Sequence, residues 1–226
     1  MNVLVVAAHP DDEVLGCGGT AARLAREGHS IYTAILGEGI TARYPQPGCA
    51  DQASLDKMHD CSRNVADLLG VKELSLHDLP DNRFDSLPLL DVIKLVEQSI
   101  ERWRPDIIYT HHSGDLNIDH QVVNRAVLTA VRPVPGQCVR EVYMFEVPSS
   151  TEWAFQQLAP VFKPNVFVNI EDTLQLKLQG MQLYESEVRK FPHPRSPEAL
   201  TGIARRWGSV VGCQAAEAFE AVFIIR

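Results

Sequence analysis

The run Val3-Leu4-Val5-Val6-Ala7-Ala8, followed without a spacer by His9-Pro10-Asp11-Asp12-Glu13, restricts this chain more than any other stretch. Six apolar residues, half of them valine, predict a strand buried on both faces of a parallel sheet. The pattern beyond Glu13, with Gly16, Gly18 and Gly19 and then Ala21-Ala22-Arg23-Leu24-Ala25, predicts a helix. An imidazole and three carboxylates therefore fall at the carboxyl end of the first strand, the edge at which open α/β sheets bind ligands. One acidic residue would be enough to favour the positive end of a helix. Three adjacent ones repel each other unless a cation relieves them, so a bound divalent metal explains the cluster better than capping alone.

The same alternation recurs along the chain. Strands are expected at 29–36, 73–77 and 106–110, with helices following at 51–69, 87–103 and 121–131. Strand and helix alternating four times predict right-handed βαβ units and a mainly parallel sheet. The loop leaving the second strand, 37–48, is punctuated by glycine and proline and heads for the same rim as His9, which makes Glu38, Arg43 and Tyr44 candidates for contacting substrate. The fourth strand delivers a second polar cluster, His111-His112-Ser113-Gly114-Asp115-Leu116-Asn117-Ile118-Asp119-His120. The last third predicts strands at 141–147 and 165–170, a helix over 172–190, a helix start at Ser196-Pro197, and an edge or added strand at 221–225. The expectation is one α/β domain over residues 1–226: a Rossmann-like three-layer αβα fold with a C-terminal elaboration.

Both clusters follow buried strands and precede helices, so they share a rim. Catalytic zinc takes three protein ligands and keeps a fourth position open. His9 and Asp12 can reach one ion across a tight turn, Pro10 restrains the backbone between them, and His120 completes the set. One zinc per chain is expected, with another divalent metal as the variant.

His9-Pro10-Asp11-Asp12-Glu13 and the later Asp119-His120 resemble the motifs of the PIG-L/LmbE-like zinc-dependent deacetylases, which remove acetyl groups from N-acetylglucosamine and related amino sugars. The likeness extends to the glycine-rich second loop and to Ala216-Glu217-Ala218-Phe219. It implies that His9, Asp12 and His120 bind the metal, that Asp11 is the general base, that Arg43 contacts substrate, and that the chain assembles into homo-oligomers. The family often has H-x-D-H at the second motif, where this chain has Asn117-Ile118-Asp119-His120. Asparagine can donate to an oxyanion but cannot shuttle a proton. His111 or His112 is left for that task, and Asp11, His112, Asn117 and Asp119 are the candidate catalytic residues.

Composition excludes several classes. The net charge of −8, with no basic run, argues against nucleic-acid or anionic-membrane partners. No stretch approaches the roughly 20 apolar residues that span a bilayer, and no charged region precedes a hydrophobic segment as in a signal peptide. Cys17, Cys49, Cys61, Cys138 and Cys213 are odd in number, with no C-x-x-C pair, as expected of reduced thiols in a cytoplasmic protein. Gly16, Gly18 and Gly19 do not follow the G-x-G-x-x-G spacing of dinucleotide sites, so close packing of the first helix explains them better. His193-Pro194-Arg195-Ser196 reads as a surface loop and helix cap, or as a patch able to hold a phosphate. Trp103 belongs to the core rather than to a sugar-stacking face, while Asp115 and Glu217 are unranked candidates for lining the site. The functional expectation is hydrolysis of an N-acetylated amino sugar, free or linked to a nucleotide or aglycone. The competing expectations are an amidase for larger N-acyl groups and a non-catalytic metal-containing sugar-binding protein.

Overall fold

The computed structural model describes residues 1–44 and 51–226. In chain order it contains β1 (Asn2–Ala7), α1 (Asp12–Arg26), β2 (Ser30–Gly37), α2 (Gln52–Leu69), β3 (Val71–Leu79), α3 (Leu89–Trp103), β4 (Ile107–His111), α4 (Ile118–Ala130), β5 (Glu141–Phe145), β6 (Val166–Asn169), α5 (Leu174–Leu183), α6 (Pro197–Val211) and β7 (Ala216–Ile224). The strands form one sheet in the order β3-β2-β1-β4-β5-β7-β6. β1 pairs in parallel with β2 and β4, β2 with β3, and β4 with β5, while β7 runs antiparallel to both β5 and β6. This is the expected mainly parallel three-layer fold. The strand order reverses between β1 and β4, which opens a crevice beyond their carboxyl ends.

β1 is hydrophobic throughout because both of its faces are covered. Val3 and Val5 pack with residues of α1, α2 and α5, whereas Leu4 and Val6 pack with residues of α3 and α4. Local signals set the helix ends as read from sequence. Asp51 caps α2 by accepting from Ser54 N, and Gly70 closes it with φ 75°. Ser196 caps α6 by accepting from Ala199 N, with Pro197 in its first turn.

Two expectations in the last third are corrected. The segment 221–225 is not an edge strand: β7 starts at Ala216 and lies inside the sheet, between β5 and β6. The helix predicted over 172–190 stops at Leu183, and the chain then turns back toward the rim. Glu217 does not line the crevice either. α1 breaks at Cys17, where φ is −147° and ψ is 21°, and the carboxylate of Glu217 accepts from Gly19 N at 3.0 Å and Thr20 N at 2.7 Å beyond the break. Lys177 Nζ pairs with Glu217 at 2.6 Å and donates to Leu15 O at 2.8 Å on the near side. A buried ion pair thus satisfies backbone groups that the interrupted helix leaves open.

Cys17, Cys61, Cys138 and Cys213 are free thiols. Cys49 and positions 45–48 of the glycine- and proline-punctuated loop lie outside the described residues. Among the described residues, no helix is long and apolar enough to cross a membrane.

The glycines of α1 are packing residues. A Cβ on Gly16 would stand 2.3 Å from the Phe145 ring, and one on Gly19 would stand 2.9 Å from Ile170, whereas one on Gly202 in α6 would meet nothing. Gly16→Ala is expected to destabilise the fold by about 1–3 kcal/mol through overpacking. Gly202→Ala should stabilise it by up to about 1 kcal/mol. Urea unfolding of the two variants checks both signs.

Candidate metal centre

β1 and β4 end side by side, and their last residues are tied together: Ala8 N donates to His111 Nε2 at 2.8 Å. Immediately beyond, the donor atoms of His9, Asp12 and His120 lie within 4.8 Å of one another. Asp12 Oδ2 is at the centre, 3.3 Å from His9 Nδ1 and 3.3 Å from His120 Nε2, and it accepts from the backbone of His9 at 2.8 Å. Residues 111 positions apart in sequence meet here because the strands that carry them are neighbours.

The far nitrogen of each imidazole faces a carboxylate. His9 Nε2 hydrogen-bonds to Asp119 Oδ2 at 2.8 Å, and Asp81 Oδ1 stands 3.3 Å from the same nitrogen. Asp119 is itself held by the backbone N–H groups of Asn82 at 2.6 Å and Phe84 at 2.9 Å. His120 Nδ1 lies 3.2 Å from Asp115 Oδ1, and Asp115 accepts from Ser150 and Thr151 hydroxyls. Carboxylate–histidine pairs of this kind orient metal-ligating imidazoles and raise their basicity. With the outer nitrogens turned toward carboxylates, two imidazole nitrogens and one carboxylate oxygen face one another, a donor set that suits zinc or a similar divalent ion.

Electrostatics agree with the geometry. Burial opposes ionisation of Asp12, but the imidazoles of His120 and His111 outweigh it and hold the carboxyl well below its ordinary range. Burial lowers the His120 pKa, yet Asp12 and Asp115 prevail and push it up to about 9. His9 is likewise raised, because Asp119 and Asp12 outweigh its burial.

Asp11 adjoins the cluster and lines a cleft of 230 Å³ together with His9, His120, Arg43, Asn117 and Arg195. Its φ of 98° is left-handed, a conformation that costs a non-glycine residue about 1–3 kcal/mol and that concentrates at functional sites. Asp11 Oδ2 accepts from Arg195 Nη1 at 2.8 Å. Arg195 is held in turn by Ser149 Oγ at 2.8 Å and Glu187 Oε2 at 3.3 Å. Burial pushes the Asp11 carboxyl well above its ordinary range in spite of Arg195.

The family model described as PIG-L, GlcNAc-PI de-N-acetylase, matches residues 4–131. An uncharacterized deacetylase of Escherichia coli strain K12, YaiS, is 30% identical over 82% of this chain and 91% of its own length. The chain belongs to the PIG-L family. A diacetylchitobiose deacetylase of Thermococcus kodakarensis is similar to it at 26% identity, over 98% of this chain and 83% of that protein. The fold is wider than this chemistry. The crystal structure of a 4-carboxy-2-hydroxymuconate hydratase, GalB, from Pseudomonas putida superposes with a TM-score of 0.76 at 22% identity, covering 98% of this chain and 96% of that one. Likeness of fold does not by itself fix the reaction.

Within this PIG-L rim the sequence candidates separate. Asp11, Arg43 and Asn117 line the cleft. Asn117 is the α4 cap, accepting from Asp119 N at 2.8 Å, and its amide donates to Asn82 at 3.0 Å. Asp119 is buried behind His9, hydrogen-bonded to its imidazole and absent from the cleft lining. His112 points away from the cleft, with Nε2 2.8 Å from Pro160 O and Nδ1 2.9 Å from Glu220 Oε2, so it has no proton to give there. Strand alternation turns His111 toward Asp12 instead, but its Nε2 accepts from Ala8 N and it is fully buried. Glu38 accepts from the Thr41 hydroxyl and is outside the cleft. Tyr44 borders a separate hollow with Lys57 and Glu185.

Arg195, Glu187, Asp81 and Ser149 were not among the sequence candidates. Arg195 carried a signal as a cationic residue before a helix cap, and it reaches Asp11 from the connection between α5 and α6. A metal ligand must be neutral imidazole, whereas His120 holds its proton up to about pH 9 in the metal-free protein. Divalent-metal affinity should therefore rise with pH from 6 to 9. Zinc titration at pH 7 should release at least about one proton per ion, measurable by calorimetry in buffers of different ionisation enthalpy.

Proposed function

We propose that the protein is a zinc-dependent hydrolase that removes the acetyl group of an N-acetylated amino sugar, with His9, Asp12 and His120 as metal ligands and Asp11 as general base. The observation that carries this reading is the placement of Asp11: strained, buried and paired with Arg195, on the wall of a cleft that also reaches His9 and His120. Zinc supplies Lewis acidity at such a site, acidifying water to a pKa of about 7 and polarising an amide carbonyl.

The chain's own groups do the remainder. Arg195 occupies Asp11 Oδ2, and Oδ1 accepts no hydrogen bond among the described residues, so one oxygen is free to take a proton from the attacking water. The same carboxyl can then return that proton to the departing amine. This makes a separate imidazole at position 117 unnecessary for the proton transfer, consistent with asparagine there. The Arg195 guanidinium and the amides of Asn82 and Asn117 are the donors in the cleft able to face a tetrahedral oxyanion. Arg43, paired with Glu187 at the mouth, remains partly exposed and is placed to meet the substrate's hydroxyls. A 230 Å³ cleft is below the usual range of about 300–1,000 Å³ for small-molecule pockets, which suits one sugar ring at the metal and any linked group outside.

Asp11→Asn is expected to lower kcat by about 10²–10⁴-fold with zinc stoichiometry unchanged. Acetate release from a panel of acyl-glucosamines, together with metal analysis of the same samples, tests this. A variant that keeps parental turnover removes the general-base assignment, and faster cleavage of longer acyl chains than of acetyl overturns the substrate class.

A further inference from the structure

The α1 motif ends in Glu13, a residue that neither faces the cleft nor approaches the metal donors. Its carboxylate is buried, and both oxygens are engaged. Oε2 accepts from the backbone N–H of Asp11 at 3.0 Å. Oε1 accepts from the phenolic O–H of Tyr184 at 2.6 Å. Tyr184 is fully buried just past the end of α5, and its oxygen stands 3.1 Å from Ser62 Oγ on α2. Ser62 in turn donates to Met58 O at 3.1 Å.

The residue reached by this chain of contacts is the one with the left-handed backbone. Asp11 has three restraints on its main chain and side chain. Its carbonyl accepts from Val14 N at 3.1 Å and Leu15 N at 2.9 Å, as the first turn of α1 requires. Arg195 holds its carboxylate. Only Glu13 holds its N–H, and that bond closes a loop of two residues around a φ of 98°. A relaxed φ at Asp11 would swing its side chain away from the position that faces the cleft. Glu13 cannot serve this bond unless its own carboxylate is oriented, and the Tyr184 hydroxyl is the side-chain group that does so.

We propose that Glu13 and Tyr184 form a positioning strut for the general base, with Tyr184 acting through Glu13 on the backbone of Asp11. The proposal rests on the reading of Asp11 given above. Neither residue touches substrate, and Tyr184 lies 53 positions beyond the segment matched by the family model, so α5 and the turn after it contribute to the site from outside that segment.

The test is a double-mutant cycle on the zinc-loaded full chain, using Tyr184→Phe, Asp11→Asn and the pair. Tyr184→Phe removes one hydroxyl and keeps the volume. It is expected to lower kcat for acetate release at least tenfold, with KM and zinc content within twofold of the parent. In the Asp11→Asn background the same substitution should change the residual rate by less than twofold, because the residue through which it acts no longer functions as a base. Should Tyr184→Phe fail to fold, Glu13→Ala carries the test with the same expected loss. Glu13→Gln, which keeps a carbonyl acceptor for the Asp11 N–H, should recover activity to within a fewfold of the parent. The strut is overturned if Tyr184→Phe keeps kcat within twofold, or if its effect persists undiminished in the Asp11→Asn background. Failure of the general-base reading is a separate outcome, seen when Asp11→Asn alone retains parental turnover.

Discussion

Asp12 Oδ2 is the atom on which the rim depends. It accepts from the His9 backbone and stands within 3.3 Å of His9 Nδ1 and His120 Nε2 and 3.6 Å of His111 Nε2. Three histidines, one in the β1–α1 turn, one at the end of β4 and one in the first turn of α4, therefore converge on one buried oxygen. This is possible only where two parallel strands are adjacent and the chain leaves them on opposite sides, which is the β1/β4 boundary. The sheet's order is thus a geometric precondition of the site.

Around that atom the structure is organised in shells that come from different parts of the sequence. The metal-facing donors come from the β1–α1 turn, the start of α1 and the first turn of α4. Of the carboxylates that face the outer nitrogens, Asp119 lies beside His120 in the first turn of α4 and Asp115 in the β4–α4 connection just before it. The groups around Asp11 come from further away: Tyr184, Glu187 and Arg195 all lie between α5 and α6. The inserted antiparallel strand β7 matters here too. Its Glu217 and the α5 residue Lys177 satisfy the break in α1, so the short first turn that carries Asp12 and Glu13 is anchored independently of the rest of that helix.

The sequence made the alternation of strands and helices legible because β1 is apolar from Val3 to Ala7, β2 and β4 are largely apolar, and α2 and α6 carry capping signals at Asp51, Gly70 and Ser196. It also brought His9, Asp12 and His120 together through topology alone. What it did not resolve depends on single-residue geometry. His111 and His112 are adjacent, so strand alternation sends them in opposite directions, and composition cannot say which faces Asp12. Asp119 looked catalytic because it sits beside His120, yet helix geometry at the start of α4 turns it behind His9. Arg195 was invisible as a partner of Asp11 because the contact spans 184 residues and depends on where α5 stops. The helical pattern through 184–190 gives no breaker at Leu183. That end is set by tertiary demand, in which burying Tyr184 against Glu13 and Ser62 replaces further helix.

The rim also carries an imbalance of charge that bears on how the fold and the metal are coupled. Asp11, Asp12, Glu13, Asp81, Asp115, Asp119 and Glu187 are all buried around it. Against them the protein sets Arg195, Arg43 at the mouth, and imidazoles that must become neutral to act as ligands. Buried carboxylates are tolerated when they are neutralised, hydrogen-bonded or paired, and otherwise each costs several kcal/mol. Backbone donors satisfy Asp119, hydroxyls satisfy Asp115, and Tyr184 with the Asp11 N–H satisfies Glu13, whose pKa burial pushes up to about 7. Asp12 is different, because its principal partners are the two histidines that would share the ion. Proton and metal therefore compete for the same imidazoles. Under the proposed function, a divalent cation expels those protons and supplies in their place the positive charge that the Asp12 carboxylate requires. Metal binding is in this sense the last step of assembling the rim, completing an electrostatic arrangement that the sheet has already brought within reach.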